Sequence, residues 1–166
     1  MILTITLHPS IDRTVELGAP LEVGGVARAH ARATEEPAGK GVNVTRTLLA
    51  AGTASTAIVA ADAHDRLVAS LEALDVPTRA VHVGSPVRQN LAIVDPDGTT
   101  TKVNESGGAV DGRVLDALLD VVDELATTAA WVVIAGSLPP ATDVAVVAAI
   151  VRAVRQADGA RITVDT

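Results

Sequence analysis

Hydrophobic positions along this chain change period several times, and each change marks a boundary. Leu3, Ile5 and Leu7 alternate with Ile2, Thr4 and Thr6, and threonine is only mildly polar, so Ile2–Leu7 predicts a largely buried strand ending at His8-Pro9. From Val15 to Ala33 no 3.6-residue period appears; Gly18, Pro20, Gly24 and Gly25 break the stretch, and Val26–Arg32 alternates, which predicts short exposed strands outside the main sheet. Gly41–Ala51 predicts a helix stopped by Gly52, followed by a strand over Ser55–Ala61, a helix over His64–Leu74 and a short strand over Arg79–Val83. Gln89–Val94 and Thr99–Val103, joined by Asp95-Pro96-Asp97-Gly98, predict an antiparallel hairpin. Leucines and valines at 114, 115, 118, 119, 122 and 125 form a helical stripe over Asp111–Thr127. Trp131–Ala135 reads as a continuous apolar strand, Asp143–Gln156 as a helix, Asp158-Gly159 as a break and Arg161–Val164 as a last strand.

Strands alternating with helices predict an α/β protein with a parallel sheet, and the hairpin with the 13–33 strands predicts a separate small sheet beside it, a lid. The chain stops at Asp165-Thr166, just after a strand and with no helix to cover it, so it is expected to be the N-terminal part of a longer protein.

Composition narrows the picture. A length of 166 residues suits one domain with its own core. The absence of cysteine excludes disulfides and suits a cytoplasmic location. Hydrophobic residues make up 48% and aromatics 1%, so the core is expected to be Val, Leu, Ile and Ala around the single Trp131. Mean hydropathy is +0.37, yet the longest weakly polar stretch contains Gly136, Ser137, Pro139 and Pro140, which leaves no membrane-spanning helix. A net charge of −7 with one aromatic argues against a nucleic-acid surface.

The candidate chemistry centres on Pro37-Ala38-Gly39-Lys40-Gly41-Val42-Asn43-Val44, a glycine loop opening a helix. Glycines there let the backbone approach a ligand while first-turn N–H groups stay free to donate. A lysine at the positive end of the helix dipole calls for an anion, and a solvated lysine beside a turn glycine is the plain alternative. Thr34 and Gly41 stand where a P-loop needs its first Gly and its Ser or Thr, and Val44 stands at the third glycine of a dinucleotide fingerprint, so neither motif is present. Asp12 falls just past the first strand, where open α/β sheets place ligand groups, or else is a turn aspartate.

The order strand-Pro-Ser-x-Asp, lid strands, AGKGVNV, VRQN, hairpin, NESG, WVVIAGSLPP and VDT resembles the ribokinase-like family of carbohydrate kinases, most of all its 1-phosphofructokinase and tagatose-6-phosphate kinase branch. The resemblance covers essentially the whole chain. It implies a ribokinase-like three-layer α/β core, incomplete here, with a small β-sheet lid whose strands lie near 13–33 and 87–104. It also implies phosphoryl transfer from ATP with Mg2+ to a sugar phosphate, first of all fructose 1-phosphate to fructose 1,6-bisphosphate.

Carried over by position, the resemblance implies that Asp12, Gly39 and Asn43 hold sugar hydroxyls, while Lys40, Arg88 and Arg28 neutralise the substrate's phosphate. Asn90 and Asn104 would close on the sugar from the hairpin's ends, and Ser137 would offer a hydroxyl and an N–H. Each has a duller reading: Arg28 and Arg88 as solvated strand charges, Asn104 as a turn former, Ser137 as a loop or cap residue.

The chain also departs from the family pattern. Ala38 replaces the first of the usual paired glycines, Ser106-Gly107 stands where Pro-Gly is common, Ala141 stands where Gly is common, and His8, where relatives often carry Asn, receives no role. The family's Gly-Ala-Gly-Asp motif with its catalytic aspartate, and the nucleotide and metal sites, do not occur here, and the aspartate is expected beyond Thr166. Residues 1–166 are therefore expected to hold the substrate half and to show no turnover alone. A non-catalytic phosphosugar-binding module is the competing expectation, and a homodimer through the exposed lid edge a further one.

Overall fold

The structure, a computed structural model, describes every residue except Asp158. Five parallel strands form the main sheet in the order β5-β4-β1-β8-β9: β1 (Ile2–Thr6), β4 (Ser55–Ala60), β5 (Thr78–Val81), β8 (Trp131–Ala135) and β9 (Arg161–Asp165). Helices cover both faces. Leu3, Ile5, Ile58, Val132 and Ile134 pack beneath α3 (Gly112–Ala126) and α4 (Ala145–Gln156), while Ala57 and Val59 pack beneath α1 (Lys40–Ala50) and α2 (Arg66–Glu72). Helix, sheet and helix make the three layers expected.

Alternation explains which face each strand residue takes. Thr4 and Thr6, on the α1 side of β1, are buried as the sequence predicts. Thr4 manages it through a relay of hydroxyls: Thr4 Oγ1 lies 2.8 Å from Thr45 Oγ1, Thr45 Oγ1 lies 3.2 Å from Ser55 Oγ, and Ser55 donates to the Ile2 carbonyl at 3.0 Å. Burying hydroxyls without such partners would cost roughly 1–3 kcal/mol each.

The second sheet is the lid, in the order β3-β2-β6-β7: β2 (Ser10–Glu16), β3 (Thr34–Ala38), β6 (Arg88–Val94) and β7 (Thr100–Asn104). The β6–β7 hairpin lies where the sequence predicts. The other half differs from expectation. Of the strands expected near 13–33, Arg13–Glu16 forms as part of β2, which starts earlier at Ser10, and residues 17–33 are loop apart from one bridge between Leu17 and Ala29. β2 also joins β6 in parallel, so the lid as a whole is mixed, while its β6–β7 hairpin is antiparallel as the sequence predicts.

Asp12 accordingly sits inside β2 and not in a turn after β1. Trp131 is not a core residue either. It opens β8 at the sheet's N-terminal rim, 37% exposed, with the Arg161 guanidinium 5.5 Å from its ring centroid. Of the Asp158-Gly159 break, Asp158 lies outside the described residues, and Gly159 has φ +115 before β9. No helix among the described residues is long and apolar enough to cross a membrane.

Candidate functional site

Parallel strands all end on the same edge of a sheet, and that edge is where a crevice forms. Helix α1 starts there. Gly39 is its N-cap with φ +132, no side chain caps the helix, and Lys40 is its first residue. The glycines serve a contact within the fold: a Cβ on Gly39 would lie 2.7 Å from Thr6 Cγ2, and one on Gly41 would lie 2.5 Å from Thr6 Oγ1 and 3.2 Å from the Ile5 carbonyl oxygen. The close approach that the loop permits is thus to β1, and it holds the uncapped N-terminus of α1 against the strand end.

Lys40 finds an anion in the protein itself. Its Nζ lies 3.0 Å from Asp165 Oδ2 at the end of β9. Both side chains are exposed, and pairs of that kind are worth about 0–1 kcal/mol, so a stronger anion can displace the carboxylate at small cost. Thr166, which follows Asp165, is an exposed residue outside β9 and joins no part of the site. Asn43 projects from the exposed side of α1, and Ser137 lies exposed just beyond β8, after Gly136, whose N–H donates to the Asp165 carbonyl at 2.9 Å. Gly39, Lys40, Asn43 and Ser137 thus belong to the edge of the core.

A second set lies on the lid. Cross-strand register puts Asp12 opposite Asn90 and Asn90 opposite Asn104, a row of one carboxylate and two amides along a single rung. Asn90 Nδ2 donates to Asp12 Oδ1 at 2.9 Å and to Ser10 Oγ at 3.1 Å, which leaves Asn90 Oδ1 buried without a partner. Asp12, Asn90 and Asn104, with Arg13, Thr14 and Lys102, line a cleft of about 260 Å³. Arg88 pairs in register with Ser10 and donates to the His8 carbonyl at 3.4 Å, while its buried Nε has no partner. Burial draws the Arg88 guanidinium below the usual arginine range, and Asp12 pulls it back up. Donors and acceptors left unpaired inside a protein cost free energy, and Asn90 Oδ1 and Arg88 Nε are two such atoms, beside Gln89 Nε2 and Thr6 Oγ1.

Arg28 is not brought to either set. Its carbonyl accepts from Gly18 N–H at 3.3 Å, past the far end of β2, and its side chain is exposed beside Pro20 and Glu22. β2 runs from Ser10 to Glu16, so Arg28 stands on the order of 20 Å along the strand from the Arg88 rung.

Several residues without a sequence-based role hold the site together. Asp62 Oδ1 accepts the N–H groups of Val83 at 2.7 Å and Gly84 at 3.0 Å and lies 2.8 Å from His82 Nδ1; the Val83 bond first, then the others, keep its carboxyl below the usual range. Asp65 caps α2 through Leu67 N–H at 2.8 Å and accepts Val87 N–H at 2.9 Å with its other oxygen. Both therefore pin the segment that feeds Arg88 into β6. Glu105 accepts Gln89 N–H at 2.7 Å and steadies the hairpin's exit. The largest omission is His8, whose ring reaches Ser137 and Ser106. The available signal was a polar ring directly before the proline that ends β1. Among the described residues, no group of three His, Cys, Asp or Glu side chains could hold a metal ion.

The model of the pfkB family carbohydrate kinases matches residues 8–165. A 1-phosphofructokinase of Vibrio cholerae serotype O1 is 30% identical over 140 residues, which cover 83% of this chain and 44% of that protein. Among solved structures, phosphofructokinase-2 from Escherichia coli in complex with fructose-6-phosphate aligns with a TM-score of 0.88 at 29% identity, covering 99% of this chain and 55% of that one. The tetrameric inhibited form of phosphofructokinase-2 from Escherichia coli aligns with a TM-score of 0.87 at 30% identity, covering 99% and 54%. The chain thus spans about half the length of the relatives it matches.

Proposed function

Because the chain belongs to the pfkB family of carbohydrate kinases, we propose that the intact protein transfers phosphoryl from ATP to a sugar phosphate, with fructose 1-phosphate giving fructose 1,6-bisphosphate as the leading reaction. The observation that supports this reading is the lid rung itself. Asp12, Asn90 and Asn104 offer acceptors and donors at fixed spacing, which suits vicinal hydroxyls, and Arg88 stands beside them with a buried donor unspent. A guanidinium fork suits a phosphate. Across the crevice, Lys40, Gly39, Asn43 and Ser137 are the proposed partners of the same ligand, the phosphate taking over Lys40 from Asp165.

ATP and Mg2+ are the co-substrate and metal that family membership implies, and no step is assigned to either through residues 1–166. The catalytic aspartate is proposed to lie beyond Thr166. In this division of labour residues 1–166 position the sugar phosphate and have no turnover by themselves. For Arg28 to meet the phosphate, its loop must close over the cleft or a second copy must present it. A homodimer through the lid is the proposed assembly, since β7 is exposed along its whole length. A cytoplasmic location is proposed from the family.

A coupled assay of ADP release by the intact protein across fructose 1-phosphate, tagatose 6-phosphate and fructose 6-phosphate tests the reading. Turnover should be fastest with fructose 1-phosphate. Binding of these sugars without turnover would instead favour a phosphosugar-binding module, and no binding would remove the site altogether.

A further inference from the structure

Three segments carrying candidate site residues converge on His8, and its hydrogen bonds determine where its proton is. Nε2 lies 2.9 Å from the Ser106 carbonyl oxygen and Nδ1 lies 3.2 Å from Ser137 Oγ. A carbonyl can only accept, so Nε2 carries the hydrogen, and in the neutral ring Nδ1 is then a bare lone pair. Ser137 must be the donor in the second bond. Its proton is turned toward His8, and its oxygen shows only lone pairs to the crevice.

The same residue holds Arg88 through its carbonyl and holds the lid's exit through packing. A Cβ on Gly107, where φ is +69, would lie 2.7 Å from His8 Nε2 and 3.3 Å from Arg88 Cβ, so glycine lets that segment close over the ring.

We propose that His8 is a positioning residue that sets the donor sense of Ser137: neutral, it offers an incoming ligand an acceptor, and protonated, it offers a phosphate a donor. In the protonated ring Nδ1–H donates to Ser137 Oγ, which frees the serine hydroxyl to donate outward. Binding of a phosphate dianion then takes up a proton from solvent onto Nδ1, whereas binding of a neutral sugar does not. This rests on the reading that the crevice takes a sugar phosphate.

The charged groups around the ring are few. Burial opposes protonation most, and Arg88 on β6, which faces the ring, opposes it next; the Ser106 carbonyl favours it. Glu105 in the segment after β7 is spent on Gln89 N–H, and the Lys40–Asp165 pair lies beyond Gly136. A bound dianion next to Arg88 would cancel the main opposing charge.

Two measurements on the intact protein test the proposal. Nitrogen-15 NMR of the free protein should show His8 neutral with hydrogen on Nε2 near neutral pH; hydrogen on Nδ1 would overturn the assignment without any variant. Titration calorimetry with fructose 1-phosphate, in buffers of unlike ionisation enthalpy, should show proton uptake in the wild type that is absent from His8→Asn. Asparagine keeps an acceptor near the Nδ1 position and cannot titrate. The ligand's own second ionisation is common to both proteins, so the difference between them belongs to His8. Wild-type affinity should fall with pH relative to His8→Asn by up to about tenfold per unit across the linkage window. Equal proton uptake in both proteins overturns the inference about His8 and leaves the sugar-phosphate site standing. Absence of binding by either overturns both.

Discussion

Strand β4 of the core buries five of its six residues, whereas β7 of the lid buries none of its five. The two sheets use the same backbone ladder, yet the first is held from both faces by helices and the second is open. In the core the buried apolar strand residues, such as Ile5, Ile58 and Val132, contribute apolar burial at about 25 cal/mol per Å² removed from water. In the lid that contribution is small, so ladder bonds and side-chain contacts such as Asn90 to Asp12 carry more of the load. The difference explains where the polar rung can exist. A carboxylate, two amides and a guanidinium would be costly between helices, whereas in the lid Asp12 and Asn104 stay exposed and Asn90 and Arg88 half-buried, close enough to water to be tolerated.

The largest expected effect comes from testing that contrast directly. Ile58→Ala, at a position with no exposure, should lose about 2–5 kcal/mol, while Ile93→Ala, half-buried in β6, should lose less than about 1.5. Denaturant midpoints of the two variants measure the gap, and equal losses would mean the lid is packed as tightly as the core.

Next comes the contact that sets α1 against β1. Alanine in place of Gly41 gains about 1 kcal/mol of helix propensity, but its Cβ would press into Thr6 Oγ1 and the Ile5 carbonyl, and overpacking against such a neighbour costs about 1–3 kcal/mol. Thr6 cannot simply turn away, because its Cγ2 already abuts the space beside Gly39. Gly41→Ala should therefore be destabilised in thermal melts; a variant as stable as wild type would show that the crowding is relieved elsewhere.

Arg88→Lys separates the two regions in another way. It should leave the melting transition nearly unchanged and weaken sugar-phosphate binding by about 2 kcal/mol, since a lysine cannot supply the fork. Calorimetry reading the same affinity in both proteins would make Arg88 a strand charge without a ligand.

The smallest effect is that of acid on the joint between the sheets. Burial first, and Arg88 second, hold the His8 ring below its ordinary value of 6.5, with the Ser106 carbonyl opposing. Between the lowered native pKa and the ordinary one, the unfolded chain binds more protons than the folded protein, so stability rises with pH across that window. Its contribution is complete above the ordinary value and is lost as the pH falls below it. His8→Asn should flatten this part of the stability–pH curve; an unchanged slope would place the titration elsewhere.

Local pattern and chemistry determined much of this protein. The stripe over Asp111–Thr127 became α3 with Val114, Leu118 and Val122 buried, and the Asp95–Gly98 turn produced the hairpin, because both signals rest on contacts between near neighbours. Helix α1 and its opening glycines were legible for the same reason. What only the tertiary structure decided depends on distant partners. β3, with two glutamates and a proline in Thr34–Ala38, has no strand signal of its own and forms because β2 offers it a ladder. Asp12 reads as a turn residue until β2 is extended by β3 on one side and β6 on the other. Lys40 at a helix start calls for an anion or else reads as a solvated lysine, and that Asp165 supplies the anion follows from β9 ending beside α1, 125 residues later in the chain. His8 reads as a strand-end polar group, and its bonds run to Ser106 and Ser137, 98 and 129 residues away. A period or a motif cannot carry such pairings, because the residues that complete them become neighbours only when the sheet and the lid have formed.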